Sequence, residues 1–264
     1  MAGLRKTNCG FSLTEVLMAV GILSVGLTFI AGVFPVAIHL TTIATERTIA
    51  AAVADEAFTK IEFCGVDPAG INLAALLPNN LTNFIDIFPP PASPYDIDPN
   101  EYKYPSAAGP KQKQYFWSAL CRLTEAYHPV NNPNPPVQVT VFVSRKISPN
   151  LAYPDPNGSG TVNRPMPIKI NVSGTAGDNE LKIINAGDEQ YINNGYMIVD
   201  DQTGRIYRVL EHYRDATDTI LLDRNWQVSN PTAVWVVPPP VVGTPPVASG
   251  RHPCIAVYQK TIRF

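Results

Sequence analysis

The sequence predicts an α+β protein in which one long amino-terminal helix is followed by an antiparallel, β-rich head. Three observations carry this. Val16 to Leu40 is a run of 25 residues with no formal charge when His39 is neutral. Beyond it, apolar residues recur every four positions as far as Ile61. From Tyr115 onward the chain breaks into short Val-, Ile-, Tyr- and Thr-rich segments separated by turn residues, which is the pattern of strands. With 264 residues and 45% apolar content the chain has material for a sizeable core.

Composition narrows the function classes. The 26 prolines fall, apart from Pro35, into three clusters spanning 68–110, 129–167 and 231–253, and these mark loops because proline donates to neither helix nor strand ladders. Net charge is −2, and removing residues 1–10 with Arg5 and Lys6 leaves 18 basic against 22 acidic residues, or −4. No basic run exceeds two residues, which argues against nucleic acid as a partner. Cys9 lies in the amino-terminal leader, leaving Cys64, Cys121 and Cys254. One disulfide and one leftover thiol fit an oxidising compartment, with all three pairings open, and so does burial of all three as small apolar residues.

Met1 to Gly10 is short and polar, with Arg5 and Lys6 as its only charges, so the positive-inside rule keeps this end in the cytoplasm. At about 1.5 Å per residue, Val16 to Leu40 makes roughly 37 Å of helix against a hydrocarbon core of about 30 Å. A cleaved secretory signal competes with this reading, but its apolar part runs to about 15 residues and ends at a small-residue cut site. The nearest Ala-x-Ala, Ala52-Val53-Ala54, lies beyond Glu46 and Arg47.

Glu15 needs a reason. A carboxylate costs on the order of 2.5–3.5 kcal/mol at the centre of a spanning helix, and less near the interface, where it reaches headgroup water. A cut after Gly10 would create an α-amino group on Phe11, titrating near about 8 and mostly protonated at neutral pH. Glu15 of one chain and the Phe11 ammonium of a neighbour would then offset each other's desolvation.

Gly10-Phe11-Ser12-Leu13-Thr14-Glu15-Val16-Leu17 resembles the amino-terminal signal of type IV pilins and type II secretion pseudopilins. The shared features are a basic leader, a Gly before the cut, an aromatic first mature residue and a Glu at its fifth position. The resemblance implies that a membrane prepilin peptidase and methyltransferase cuts between Gly10 and Phe11 and methylates the new amine. It also implies that Glu15 guides assembly with other pilin or pseudopilin subunits into a filament. The resemblance further implies that the subunit waits in the inner membrane and ends in a periplasmic or extracellular filament. Val20 to Leu27 is more similar to minor than to major pilins.

The helix is expected from about Phe11 to Phe63, stopped by Gly65 and Pro68. Its exported half carries Ile49, Val53, Ala57 and Ile61, with Ala50, Ala54 and Phe58 beside them, on the face that packs on the head. Gly26, Gly32 and Pro35 are expected to loosen or kink it, and the resemblance implies loss of helix there on assembly.

Residues 66–112 read as a loop with a short helix near 71–77. Tyr115 to Glu125 and Val137 to Ile147 read as a hairpin across loop 128–136. By resemblance, this hairpin begins the antiparallel sheet covering the helix. Further strands are expected at 168–172, 180–184, 196–200, 205–213, 219–223 and 233–237, with a tight turn at Asp201-Gln202-Thr203-Gly204. Such spacing points to a small barrel or sandwich. Cys254 to Phe264 reads as a strand returning to the first sheet, which makes 168–237 an insertion between a head region 64–167 and a carboxy-terminal loop and strand 238–264.

Candidates for chemistry are few. His39, His128, His212 and His252 show no zinc spacing, and His252-Pro253-Cys254 fits a turn entering a strand. No nucleophile elbow or phosphate loop occurs. Asp155 to Gly160 and Asp96 to Asn100 have alternating oxygen donors without the full calcium-loop pattern, and read as turns. Tyr115, Trp117, Tyr207, Tyr213, Trp226 and Trp235 read as core rather than a binding surface. No cofactor, no metal site and no enzymatic activity are expected. The leading function is a minor structural subunit of a pilus-like or pseudopilus filament. The alternative is a membrane-anchored or filament-tip adhesin that binds through its β-rich head.

Overall fold

The computed structural model describes residues 10–64, 80–84, 102–105, 114–124, 136–156, 158, 160–213, 218–228, 232–243 and 247–263. The chain divides into two compact units, Met1–Thr48 and Ile49–Phe264. One helix, α1 (Leu13–Cys64), begins in the first and ends in the second.

From Val16 to Leu40 α1 carries no formally charged Asp, Glu, Lys or Arg on any side, as a lipid-facing helix does. Its hydroxyls are satisfied within the helix: Ser24 donates to the Val20 carbonyl at 2.8 Å, Thr28 to Ser24 at 2.8 Å, and Thr41 to Ala37 at 2.8 Å. Such back-bonding removes free polar groups from a surface that must meet hydrocarbon. Pro35 lies inside α1, and the helix continues through Gly26, Gly32 and Pro35. The helix bounds agree with the sequence reading to within two residues.

In the second unit the end of α1 lies on an antiparallel sheet. Ala50, Val53, Ala54, Ala57, Phe58 and Ile61 are buried, at the helical spacing read from the sequence, with Ile49 half-buried beside them. The sheet comprises β1 (Thr82–Asn83), β2 (Lys103–Tyr104), β3 (Tyr115–Leu123), β4 (Val137–Arg145) and, after the intervening elements, the final strand Cys254–Ile262. Their order is β1-β3-β4-final strand, with β2 also on β3. β3 and β4 form the expected hairpin, in register from Tyr115↔Arg145 to Leu123↔Val137. Val137, Val139, Val141 and Val143 face the helix with Trp117, Ala119 and Cys121. Ile147, expected to end β4, is instead 65% exposed beyond it.

The later part of the proline cluster 129–167, a cluster expected to mark loops, holds a small hairpin of β5 (Tyr153–Pro154) and β6 (Thr161–Val162). Six strands then close a barrel: β7 (Ile168–Ser173), β8 (Glu180–Ile183), β9 (Met197–Asp200), β10 (Ile206–His212), β11 (Thr219–Leu222) and β12 (Thr232–Val236). All pairings are antiparallel in the cyclic order β10-β11-β8-β7-β12-β9. Alternation fills it: Ile168, Ile170 and Val172 point inward with Leu181, Ile183, Tyr207 and Trp226, while Lys169 and Asn171 point out. A barrel this narrow is a packed core rather than a ligand cavity. The hairpin of β13 (Val241–Val242) and β14 (Val247–Ala248) precedes the final strand, β15 (Cys254–Ile262).

β15 pairs with β4 from Ile262↔Val137 to Cys254↔Ser144, so the barrel strands lie in sequence between two neighbours of one sheet. The barrel covers the sheet face turned away from the helix. Leu120 and Phe142 pack there on Val199, Trp235 and Val237. This explains why Ser118, Thr140 and Ser144, which alternation places on an outward face, are buried at 4%, 0% and 2%.

The turn after β9 anchors the contact. Asp200 accepts hydrogen bonds from the backbone N–H groups of Gln202 at 3.2 Å and Thr203 at 3.1 Å and from the Thr203 hydroxyl. Gly204 has φ +70°, and a Cβ there would lie 2.6 Å from Oε1 of Gln138 on β4. Arg122 of β3 donates from Nε to Gln138 Oε1 at 2.6 Å and from a terminal nitrogen to the Gln202 carbonyl at 2.7 Å, while Gln259 of β15 donates to the Gly204 carbonyl. Asp201, buried at 3%, accepts from Trp235 Nε1 at 2.7 Å and pairs with Lys169 at 2.8 Å.

Candidate functional site

The segment singled out by the sequence begins the described chain. Gly10, Phe11 and Ser12 precede the helix, which starts at Leu13. The Ser12 carbonyl accepts the N–H groups of Glu15 at 3.0 Å and Val16 at 3.2 Å, closing the first turn, and its hydroxyl lies 2.8 Å from that of Thr14. The motif gives Ser12 no role, but Ser-x-x-Glu immediately before an apolar run is capping-box spacing, a signal present in the sequence.

Among the described residues, a Cβ added at Gly10 meets no atom within 4 Å. Phe11 is 82% exposed. Glu15 sits in the first helical turn, where a carboxylate gains about 0.3–1 kcal/mol from the helix dipole. That gain is open to any position of the turn and does not select position 15. Among the described residues no hydrogen bond or ion pair reaches the Glu15 carboxylate.

The apolar surface that follows is equally without cover. Every large apolar side chain from Phe11 to Leu40 is exposed, from 47% at Val16 upward. The helix is long and apolar enough to cross a membrane, and none of its most apolar stretch is buried among the described residues. The leader cations Arg5 and Lys6 lie outside the described residues.

Residues 5–31 match the prokaryotic N-terminal methylation motif. The motif is typical of type IV pilins and pseudopilins, and it implies processing by a prepilin peptidase. It takes in the leader from Arg5, the Gly10 and Phe11 junction, Glu15 and the apolar run as far as Ala31. No curated protein and no solved structure matches the chain. The motif with its hydrophobic helix marks a membrane-anchored precursor whose remainder becomes extracytoplasmic.

The remaining candidates of the head are dispersed through the second unit. Cys121 is buried on β3 and Cys254 partly buried at the start of β15; both are free thiols, not joined to each other, and the Cys64 side chain lies outside the described residues. Burial pushes the Cys121 thiol far up, and pushes that of Cys254 up to about 12, so neither is a thiolate at neutral pH. His252 stacks on Tyr196 with ring centroids 3.7 Å apart, and burial pushes its imidazole down to about 4 despite bonds to the backbone of Val237 and Cys254. Asp155 begins the turn of the β5–β6 hairpin, where its N–H donates to the Gly160 carbonyl at 3.1 Å. The Asp96 to Asn100 stretch, His128 and the helix expected near 71–77 lie outside the described residues. Of the aromatic candidates, Trp117, Tyr207, Trp226 and Trp235 are buried, Tyr115 is half-buried against the helix core, and Tyr213 bonds Glu180 at 3.1 Å.

Proposed function

We propose that this chain is a minor structural subunit of a type IV pilus-like or pseudopilus filament, cut between Gly10 and Phe11 and assembled through the first half of α1. The observation that carries the reading is the methylation motif at residues 5–31 continuing into a helix whose apolar surface has no cover of its own. Lipid covers that surface in the precursor and neighbouring helices cover it in the filament. The exchange is nearly neutral in hydrophobic terms, because lipid tails are as apolar as leucine. Register must therefore come from polar pairing, and a Glu15 carboxylate without an intrachain partner and a new Phe11 ammonium supply one charge of each sign.

Mass spectrometry of the native protein is expected to show a chain beginning at Phe11 with a methylated amino group. A mature chain retaining residues 1–10, or one starting near Asp55, would overturn the proposal. Glu15→Ala is expected to be cut and inserted normally but to enter sheared filaments at least tenfold less than wild type, about 1.4 kcal/mol or more of lost pairing. Incorporation at the wild-type level would remove the role given to Glu15.

A further inference from the structure

The sheet that carries the helix ends on one side in a long open strand. Among the described strands β15 pairs with β4 alone, over nine residues from Cys254 to Ile262. The sheet's other margins are of a different kind, because β1 and β2 are only two residues each, and the barrel closes on itself and has no edge. Val141, Phe142 and Val143 of β4 are 0% exposed. Tyr258, Val257 and Ala256, which lie opposite them on β15, are apolar and only half-buried. Ala256 and Tyr258 pack towards the helix and Val257 towards the barrel, so an added strand would cover apolar surface on both sides of the sheet.

The ladder shows which backbone groups line this edge. The N–H of Thr124 donates to the Pro136 carbonyl at 3.1 Å and that of Lys146 to the Gln114 carbonyl at 2.9 Å, so the even-numbered residues of β4 bond to β3. The odd-numbered ones bond to β15, and the N–H of Arg145 continues that series to the Pro253 carbonyl. Opposite the odd-numbered residues stand Ala256, Tyr258, Lys260 and Ile262. Val257, Gln259 and Thr261, between them, therefore turn their N–H and C=O groups outward.

The same stretch carries charge of one sign. Residues 251–264 hold Arg251, Lys260 and Arg263 and no Asp or Glu, and both arginines are exposed. A second copy of β15 would bring the same cations and no acidic side chain, which opposes pairing of the strand with itself. A strand that carries carboxylates meets them.

We propose that the edge of β15 from Ala256 to Ile262 takes up, as an added strand, an extended segment of another protein with carboxylates towards its ends. The outward main-chain groups give affinity and the cations select the partner. The site is independent of the amino-terminal motif and stands whether or not the chain enters a filament.

The test uses the full chain in detergent and fluorophore-labelled, blocked peptides about seven residues long, of alternating valine and threonine with a glutamate at each end. Saturable binding by fluorescence anisotropy is expected, at least tenfold tighter than for the lysine-ended counterpart. The glutamate-ended peptide N-methylated at alternate amides, in either phase, is expected to lose about tenfold or more in one of the two phases. Thr261→Pro deletes one outward N–H and no bond to β4, and is expected to weaken binding about tenfold. Should Thr261→Pro fail to fold, the N-methylated peptides decide on the wild-type chain. Absence of saturable binding, equal binding of the glutamate- and lysine-ended peptides, or full binding of both N-methylated peptides overturns the proposal. A dimer in sedimentation that Thr261→Pro abolishes would assign the edge to a second copy and overturn it as well.

Discussion

Lowering the pH from 7.5 to 4.5 is expected to remove about 2.5 kcal/mol of stability from the second unit through one side chain, His252. Its ring lies against Tyr196 at the entry to β15, and its Nε2 has no hydrogen-bond partner among the described residues. Burial moves its pKa from 6.5 to about 4 in the folded chain. Between those values the unfolded chain takes up a proton that the folded chain refuses, so stability is intact above about 6.5 and falls away as the pH drops towards about 4. Linkage over that window gives about 2.5 kcal/mol by pH 4.5, and about 3 kcal/mol once the pH is below both values. The assay is urea unfolding of the full chain in detergent, read by its three tryptophans, all of them buried in the second unit. Wild type is compared with His252→Phe, which keeps a flat ring on Tyr196 and cannot titrate. Carboxylates such as Asp218 and Asp223 titrate alike in both proteins and cancel in the comparison. A pH dependence that differs by less than about 0.5 kcal/mol between the two would refute the assignment of the acid sensitivity to His252.

Two further outcomes follow from the packing. Ile61→Ala, at a fully buried position between α1 and the sheet, is expected to cost about 2–4 kcal/mol in the same urea assay, with no change in membrane insertion on fractionation. Trp235→Phe removes the 2.7 Å bond to the buried Asp201 carboxylate and is expected to cost about 1.5–3 kcal/mol, and limited proteolysis of that variant is expected to cut first at the seam between barrel and sheet.

The amino-terminal candidates are local ones: Gly10, Phe11 and Glu15 are read along the chain, the first two just before α1 and Glu15 in its first turn. The second half of α1 was legible for a related reason, since period 3.6 makes the buried face visible at Ala50, Val53, Ala57 and Ile61. The six barrel strands were placed to within a residue or two by alternation, as at Ile168, Ile170 and Val172. Their closure was not, because β9 pairs with β10 on one side and with β12 on the other, and no residue pattern records which strands meet. Strands two residues long, such as β1 and β5, are too short for any period to show. On the outer face of β4, no residue pattern around Thr140 and Ser144 records that the barrel is set over them.

The chain leaves the sheet after Arg145 and returns at Cys254, and the N–H of Arg145 donates to the Pro253 carbonyl at 2.8 Å. Departure and return therefore share one point, so the sheet can host so long an excursion without any change of strand pairing. Such a junction lets evolution exchange the guest while leaving the host alone. The seam sets the terms of exchange: Leu120 and Phe142 lie bare without the barrel, so a replacement must bring its own apolar cover, and relatives that lack the guest are expected to carry polar residues at those two positions.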